Sequence, residues 1–290
     1  MPHRAHRKPP GLHWLPQGEL PMPSPMTLPE FVEALDRNDR TVALDVRPSA
    51  AYLGWELSGE SRGGHIARAV SFPATWLDEL PSNTATAELA ARGITPDTSI
   101  IAYGYGPDDA ALPAAELEAL GFAGIRLFEG WLPEWSSDPN LPMSRLSRFT
   151  QLVHADWVAG LLDGQEVPHH DGKRHVVAHT SFDNRADYDE GHIPGAVYLD
   201  TLFLEGPERW NRRSPEELKG AVERLGITSE TTVVLYGRTG KPTMKMVKPG
   251  MYAGQIAAMR AAWLLMYVGV EDVRVLNGGL GAWLASGRSL

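Results

Sequence analysis

Thr231-Thr232-Val233-Val234-Leu235-Tyr236-Gly237-Arg238-Thr239-Gly240 is the stretch that decides the fold of this chain. Its first six residues are β-branched, aliphatic or aromatic, the composition of a strand buried on both faces. The strand empties into a basic loop containing glycine, and a helical stretch begins near Tyr252. α/β proteins use strand, loop and helix in this order to hold an anion or a nucleophile above the carboxyl end of a sheet. The helix brings its unpaired N–H groups and the positive end of its dipole to that point. A second copy lies upstream, where Ser99-Ile100-Ile101-Ala102-Tyr103 runs into Gly104-Tyr105-Gly106-Pro107-Asp108-Asp109.

Two more segments are repeated. The turn Gly64-His65-Ile66 returns as Gly191-His192-Ile193-Pro194-Gly195, and Arg126-Leu127-Phe128-Glu129-Gly130, ending at Trp135, returns as Arg274-Val275-Leu276-Asn277-Gly278, ending at Trp283. The echoes keep their order, with offsets from 127 to 148 residues. Matched features in register mark an internal duplication of a strand-helix α/β domain. Further strands are expected at 41–46 and 176–178, and helices at 28–35, 112–120 and 153–163. Ser214-Pro215-Glu216-Glu217 opens another helix, with serine as the cap, proline in the first turn and Glu217 at the capping-box position. The turn-rich stretch 133–142 puts the linker at or just after it. The expected organisation is a flexible arm over 1–27 and domains over 28–145 and 150–290.

Composition narrows the function. The 290 residues suffice for two cores, and 43% hydrophobic with 22% charged residues is the balance of a soluble globular protein. A net charge of -9 argues against a nucleic-acid partner. No apolar run reaches the ~18 residues of a membrane span, and residues 1–26 carry no apolar leader, so a cytoplasmic location is expected. Cysteine is absent, which excludes disulfides, thiolate metal sites and thiol catalysis by this chain.

The Asp45-Val46-Arg47 strand end, both Gly-His-Ile turns, both strand-Tyr-Gly loops and the glycine-to-tryptophan endings together resemble the rhodanese superfamily. The second half is similar to the middle domain of a three-domain thiosulfate sulfurtransferase, through 188–201, Trp210-Asn211, 218–227 and Leu235-Tyr236-Gly237-Arg238. The resemblance implies tandem α/β domains, each a five-stranded parallel sheet flanked by helices. It also implies a loop after the fourth strand whose N–H groups converge on one point. In active members a cysteine begins that loop and carries sulfur as a persulfide; in the three-domain proteins the third domain supplies it. The cysteine position maps to Gly104 and Gly237, so no catalytic residue is expected in either domain. A departure from the family is the insertion 239–251.

The loop retains binding potential. Gly237, Arg238, Thr239, Gly240, Lys241, Lys245, Lys248 and Tyr252 are the candidate ligand-binding residues, because 238–252 is basic with no acidic residue and precedes a helix N-terminus. The expected partner is a small anion (thiosulfate-like, sulfate or carboxylate) or a sulfur-carrier or sulfurtransferase protein with an acidic tail. The protein then reads as a non-catalytic part or partner of a sulfur-transfer system, without cofactor or metal. The alternative is an enzyme of another class built on the enlarged basic loop. The first-domain loop, with Asp108 and Asp109, would repel an anion. His65 and His192 read as hydrogen-bonded turn residues, and His169, His170, His175 and His179 as a solvated group rather than a metal site. Asp45 and Arg47 are expected to pair beneath the first loop; Asp183 and Arg185 could repeat that pair or face the pocket. Trp210, Arg212 and Arg213 could border the cleft. In the helix after the loop, Ile256, Met259, Trp263, Leu264 and Tyr267 share a face that is expected to pack on the sheet, with Arg260 snorkelling beside it.

Overall fold

Every strand pairing in the two main sheets is parallel, and both sheets have the same strand order. The computed structural model describes residues 24–37, 41–206, 208, 211–238 and 253–290. The chain divides into two compact units, Met1–Ser147 and Arg148–Leu290. In the first the strands run Ser24–Met26, Arg126–Phe128, Ser99–Tyr103, Thr41–Asp45, Val70–Ser71 across the sheet. In the second they run Leu152–Val153, Asp272–Leu276, Thr232–Tyr236, His175–Ser181, Val197–Asp200. In chain order both read first, fifth, fourth, second, third, so the duplication is one of topology.

Alternation along the strands fills both faces of the first sheet. Leu44, Ile100, Ala102 and Leu127 pack in one core cluster, while Ala43, Ile101, Tyr103 and Phe128 pack in another. The helices beside the sheets follow sequence cues. Thr27 and Ser214 close capping boxes with Glu30 and Glu217, each with a proline in the first turn. In the second box the Glu217 N–H donates to Ser214 Oγ at 3.3 Å and the Ser214 N–H donates to the Glu217 carboxylate at 3.0 Å. Ser214→Ala should lower stability by about 1 kcal/mol, read as a lower urea midpoint with an unchanged slope.

The stretch 133–142, expected to lead into a linker, is built into the first unit. Arg62 donates to the carbonyls of Trp135, Ser136, Asp138 and Leu141, and Met143–Ser144 pairs antiparallel with His65–Ile66.

The Ala253–Tyr267 helix reverses one expectation. Ala257, Ala258, Ala261, Ala262, Leu264 and Leu265 face the sheet, while Ile256, Met259, Trp263 and Tyr267 are exposed. The helix is held so close to the sheet at its start that alanine, not tryptophan, fills the space between them. Arg260 does not snorkel; its Nε donates to both oxygens of the buried Glu205 carboxylate, at 3.0 and 3.1 Å.

Candidate functional site

The loop after the Thr232–Tyr236 strand begins at a junction of three glycines. A Cβ at residue 237 would lie 2.0 Å from the Gly254 carbonyl oxygen and 2.6 Å from its Cα, and a Cβ at 254 would lie 2.2 Å from the Arg238 carbonyl oxygen. A Cβ at 279, where φ is +56°, would meet the Gly237 carbonyl oxygen at 2.4 Å. That oxygen accepts from the Leu280 N–H at 3.0 Å. Gly237 is buried, and the backbone of the helix that follows stands where a side chain would go. The expected open cradle is therefore closed at Gly237. The carbonyl of Tyr236, one residue earlier, accepts from Thr180 Oγ1 at 2.8 Å.

The first unit reaches a similar end by other means. Gly104, whose carbonyl accepts from the Leu132 N–H as that of Gly237 does from Leu280, faces the Asp109 side chain. A Cβ there would lie 2.6 Å from the Asp109 Cβ. The carboxylate accepts from the Tyr105 N–H at 3.0 Å. The loop thus carries its own carboxylate at the position of the lost side chain.

Beneath the first loop lies the expected Asp45–Arg47 pair, fully buried. Arg47 Nε and Nη2 donate to Asp45 Oδ1 and Oδ2 at 3.0 and 2.6 Å, and Nη2 also reaches the Gly64 carbonyl at 2.7 Å. The network extends further than the sequence suggested. Tyr103 donates to Asp45 Oδ2, Tyr105 donates to Glu60 Oε1, and Glu60 lies 3.7 Å from Arg47 Nη1. Burial works against the Arg47 charge, yet the charge and hydrogen bonds of Asp45 hold its pKa above the ordinary value. Burial, reinforced by Asp45, pushes the Tyr103 hydroxyl far up. This is a structural lock, because every acceptor is already engaged.

In the second unit the lock is rebuilt from other residues. His179 pairs with Tyr236 in register as Asp45 does with Tyr103. Two positions on from Asp45 stands Arg47, and two on from His179 stands Ser181. The guanidinium comes instead from the loop: Arg238 Nη2 donates to the backbone carbonyls of Gly191 at 3.0 Å and Asp187 at 3.3 Å, with the Glu190 carboxylate 4.0 Å from Nη1. Gly191 occupies in its turn the place of Gly64. Arg238, expected to meet an anion, is therefore turned toward the protein. Both ring nitrogens of His179, fully buried, and Arg238 Nε find no hydrogen-bond partner among the described residues. Burial first, then the nearby Arg238 charge, lowers the His179 pKa to about 4.

Thr239, Gly240, Lys241, Lys245, Lys248 and Tyr252 lie outside the described residues, as do the 239–251 insertion and Trp210. His65 and His192 are turn residues as expected: their Nδ1 atoms bond the carbonyls of Tyr52 and Tyr188 at 2.7 and 2.9 Å, and each ring stacks on that tyrosine. Among the described residues no group of three His, Cys, Asp or Glu could hold a metal. His179 is a correction, since it sits in the core rather than in a solvated group. Asp183 and Arg185 do not pair. Asp200 accepts from the Asp183 N–H, and Arg185 lies over Tyr188 and Tyr198 and pairs with Asp189. Arg213 donates to the Leu202 carbonyl, and Arg212 lies over Tyr267. Nothing in the sequence marked Glu60 as buried; its reach to Arg47 and Tyr105 depends on a long excursion of the chain.

The family model described as Rhodanese-like domain matches residues 27–138 and 155–286. The chain belongs to the rhodanese family. Thiosulfate sulfurtransferase YnjE of Escherichia coli is 33% identical over 245 residues, 84% of this chain and 52% of that protein. The sulfur carrier protein TtuD of Thermus thermophilus is 34% identical over 140 residues, 48% of this chain and 41% of that protein. Among solved structures, the anaerobic ergothioneine biosynthesis enzyme from Chlorobium limicola, in complex with its natural substrate trimethyl histidine, has a TM-score of 0.86 at 42% identity. The match covers 92% of this chain and 62% of that one. This rhodanese chain thus spans about half to three fifths of the length of those two longer relatives. Among the described residues no helix is long and apolar enough to cross a membrane.

Proposed function

We propose that this chain is a non-catalytic part or partner of a sulfur-transfer system, one that depends on a thiolate supplied from outside residues 1–290. The observation that carries this reading is Gly237, at the family's cysteine position in a chain without cysteine, packed so tightly on Gly254 that no side chain fits. Sulfur transfer through a persulfide needs a nucleophile that can be attacked and then hold the sulfur covalently, and glycine has none. Likeness to a thiosulfate sulfurtransferase and to an ergothioneine biosynthesis enzyme supports membership of such a system. The 42% identity to the latter favours sulfur delivery to a trimethyl histidine type of acceptor. The binding role assigned to the second unit falls to Lys241, Lys245 and Lys248, with Thr239, Gly240 and Tyr252. A small anion, or the acidic tail of a sulfur carrier, is the ligand that this run of charge would attract. Arg238 stays on its carbonyls and positions the loop.

Two measurements test this. With thiosulfate and cyanide the chain alone should give no thiocyanate above buffer; turnover would remove the non-catalytic reading. Calorimetric titration with thiosulfate should show binding that weakens at least tenfold when Lys241 and Lys245 are both changed to alanine. Heat at background for both proteins would remove the anion site while leaving the first conclusion intact.

A further inference from the structure

In the first unit a buried carboxylate gathers the donors beneath the loop. Asp45 accepts from Arg47 Nε at 3.0 Å, from Arg47 Nη2 at 2.6 Å and from the Tyr103 hydroxyl at 2.7 Å. His179 holds the matched place in the second sheet, paired with Tyr236 as Asp45 is with Tyr103. There the donors are kept and the acceptor is replaced. The Tyr236 hydroxyl accepts from the Ile193 N–H at 2.8 Å, as that of Tyr103 does from Ile66 at 3.2 Å. Among the described residues, however, the Tyr236 proton has no acceptor. Neither ring nitrogen of His179 is bonded among the described residues, nor is Arg238 Nε, and all three atoms are buried. These groups lie together: the His179 and Tyr236 ring centroids are 5.0 Å apart, and the Arg238 charge is close enough to act on both. Burial pushes the Tyr236 hydroxyl far up, so it keeps its proton and remains a donor.

We infer that the second unit binds a small monovalent anion between His179, Tyr236 and Arg238, where the first unit has the Asp45 carboxylate. Halides and formate are the class of ligand. An imidazole fills more space than a carboxylate does, so what remains in a close-packed interior suits an ion of one to a few atoms and not thiosulfate. The chemistry favours an anion over water. A water would accept from two of the three donors, the His179 N–H, the Tyr236 O–H and the Arg238 Nε–H, and would bring two further protons into a buried place. An anion accepts from all three, brings none, and offsets the guanidinium charge. The Arg238 side chain, 19% exposed, is the way in from solvent. An ion held there ties the start of the loop to the strand, as Asp45 ties Arg47. The inference is independent of the role given to Lys241, Lys245 and Lys248.

The test is the melting temperature of the full chain at neutral pH and fixed ionic strength, with chloride replacing gluconate, an anion too large for the site. The parent should rise saturably, by about 4 °C at tenfold over half-saturation. His179→Asp should lose the response, because its own carboxylate takes the place of the ion. Tyr236→Phe removes one donor and should raise the half-saturating chloride concentration about tenfold. Bromide soaked into crystals should give an anomalous scattering peak at hydrogen-bonding distance from a His179 nitrogen, the Tyr236 hydroxyl and Arg238 Nε. The absence of a saturable rise in the parent overturns the inference, and so does an equal rise in His179→Asp. A bromide peak without a chloride-dependent rise is binding at crystal concentration only and overturns it too, as does a water bridging the three atoms in the presence of bromide. Should His179→Asp fail to fold, an unchanged half-saturation in Tyr236→Phe overturns it in its place. The thiosulfate titration of the lysine variant bears on the loop and leaves this result untouched.

Discussion

Gly237→Cys should strongly destabilise the second unit rather than restore sulfur transfer. The new Cβ would stand 2.0 Å from the Gly254 oxygen and 2.2 Å from its carbonyl carbon, and both are backbone atoms that cannot rotate away. Relief requires the Ala253–Tyr267 helix to withdraw from the sheet, opening the core formed by Ala258, Ala261 and Leu265 against Val233 and Leu235. Overpacking a core costs about 1–3 kcal/mol where side chains can adjust, and a clash with fixed backbone belongs above that range, at roughly 4 kcal/mol. Gly237→Ala should cost nearly as much, since the Cβ and not the thiol is the obstacle. Urea unfolding followed by tryptophan fluorescence measures both. A well-folded Gly237→Cys protein that takes up a persulfide would remove the closed-cradle description. In the first unit the obstacle is a side chain, so Gly104→Cys combined with Asp109→Gly should cost much less than Gly237→Cys.

Acid should weaken the second unit through His179. In the unfolded chain its imidazole takes a proton near its ordinary pKa of 6.5; in the fold, burial and Arg238 lower that to about 4. Between these values the unfolded state binds a proton that the native state does not, so stability falls as pH falls. The loss starts as pH drops through about 6.5, is complete near 4, and amounts to about 3 kcal/mol at 1.36 kcal/mol per unit. His65, His154 and His175, also lowered mainly by burial, act in the same direction. Comparing His179→Gln with the parent isolates the term. The difference in unfolding free energy between the two proteins should change by about 3 kcal/mol from pH 7 to pH 4. A difference that stays constant with pH would show that His179 does not titrate this way.

Much of the fold was legible because local chemistry fixes it. The strands at Ser99–Tyr103 and Thr232–Tyr236 are runs of buried-strand residues, and Ser214-Pro215-Glu216-Glu217 satisfies its own helix start. The tyrosine–histidine turns were legible for the same reason, since each histidine bonds a carbonyl in its own repeat. The site was less legible. Arg238 reads as a loop cation because its sequence neighbours are lysines, yet its acceptors, Asp187 and Gly191, lie 51 and 47 residues away. In the helix after the loop hydrophobicity alone points tryptophan and methionine to the core, whereas Trp263 and Met259 are exposed.

The sequence by itself determined the duplicated α/β topology, the absence of a thiol and the glycine at each cysteine position. The first two follow from composition, periodicity and order along the chain, and the third from the resemblance to the rhodanese family. Only the tertiary structure decided what those glycines are for. The closeness of Gly237, Gly254 and Gly279 depends on how near a helix sits to a sheet, a distance set by packing between residues far apart in the chain. That same closeness favours alanine beneath the first turns of the helix, while Met259 and Trp263 lie outward.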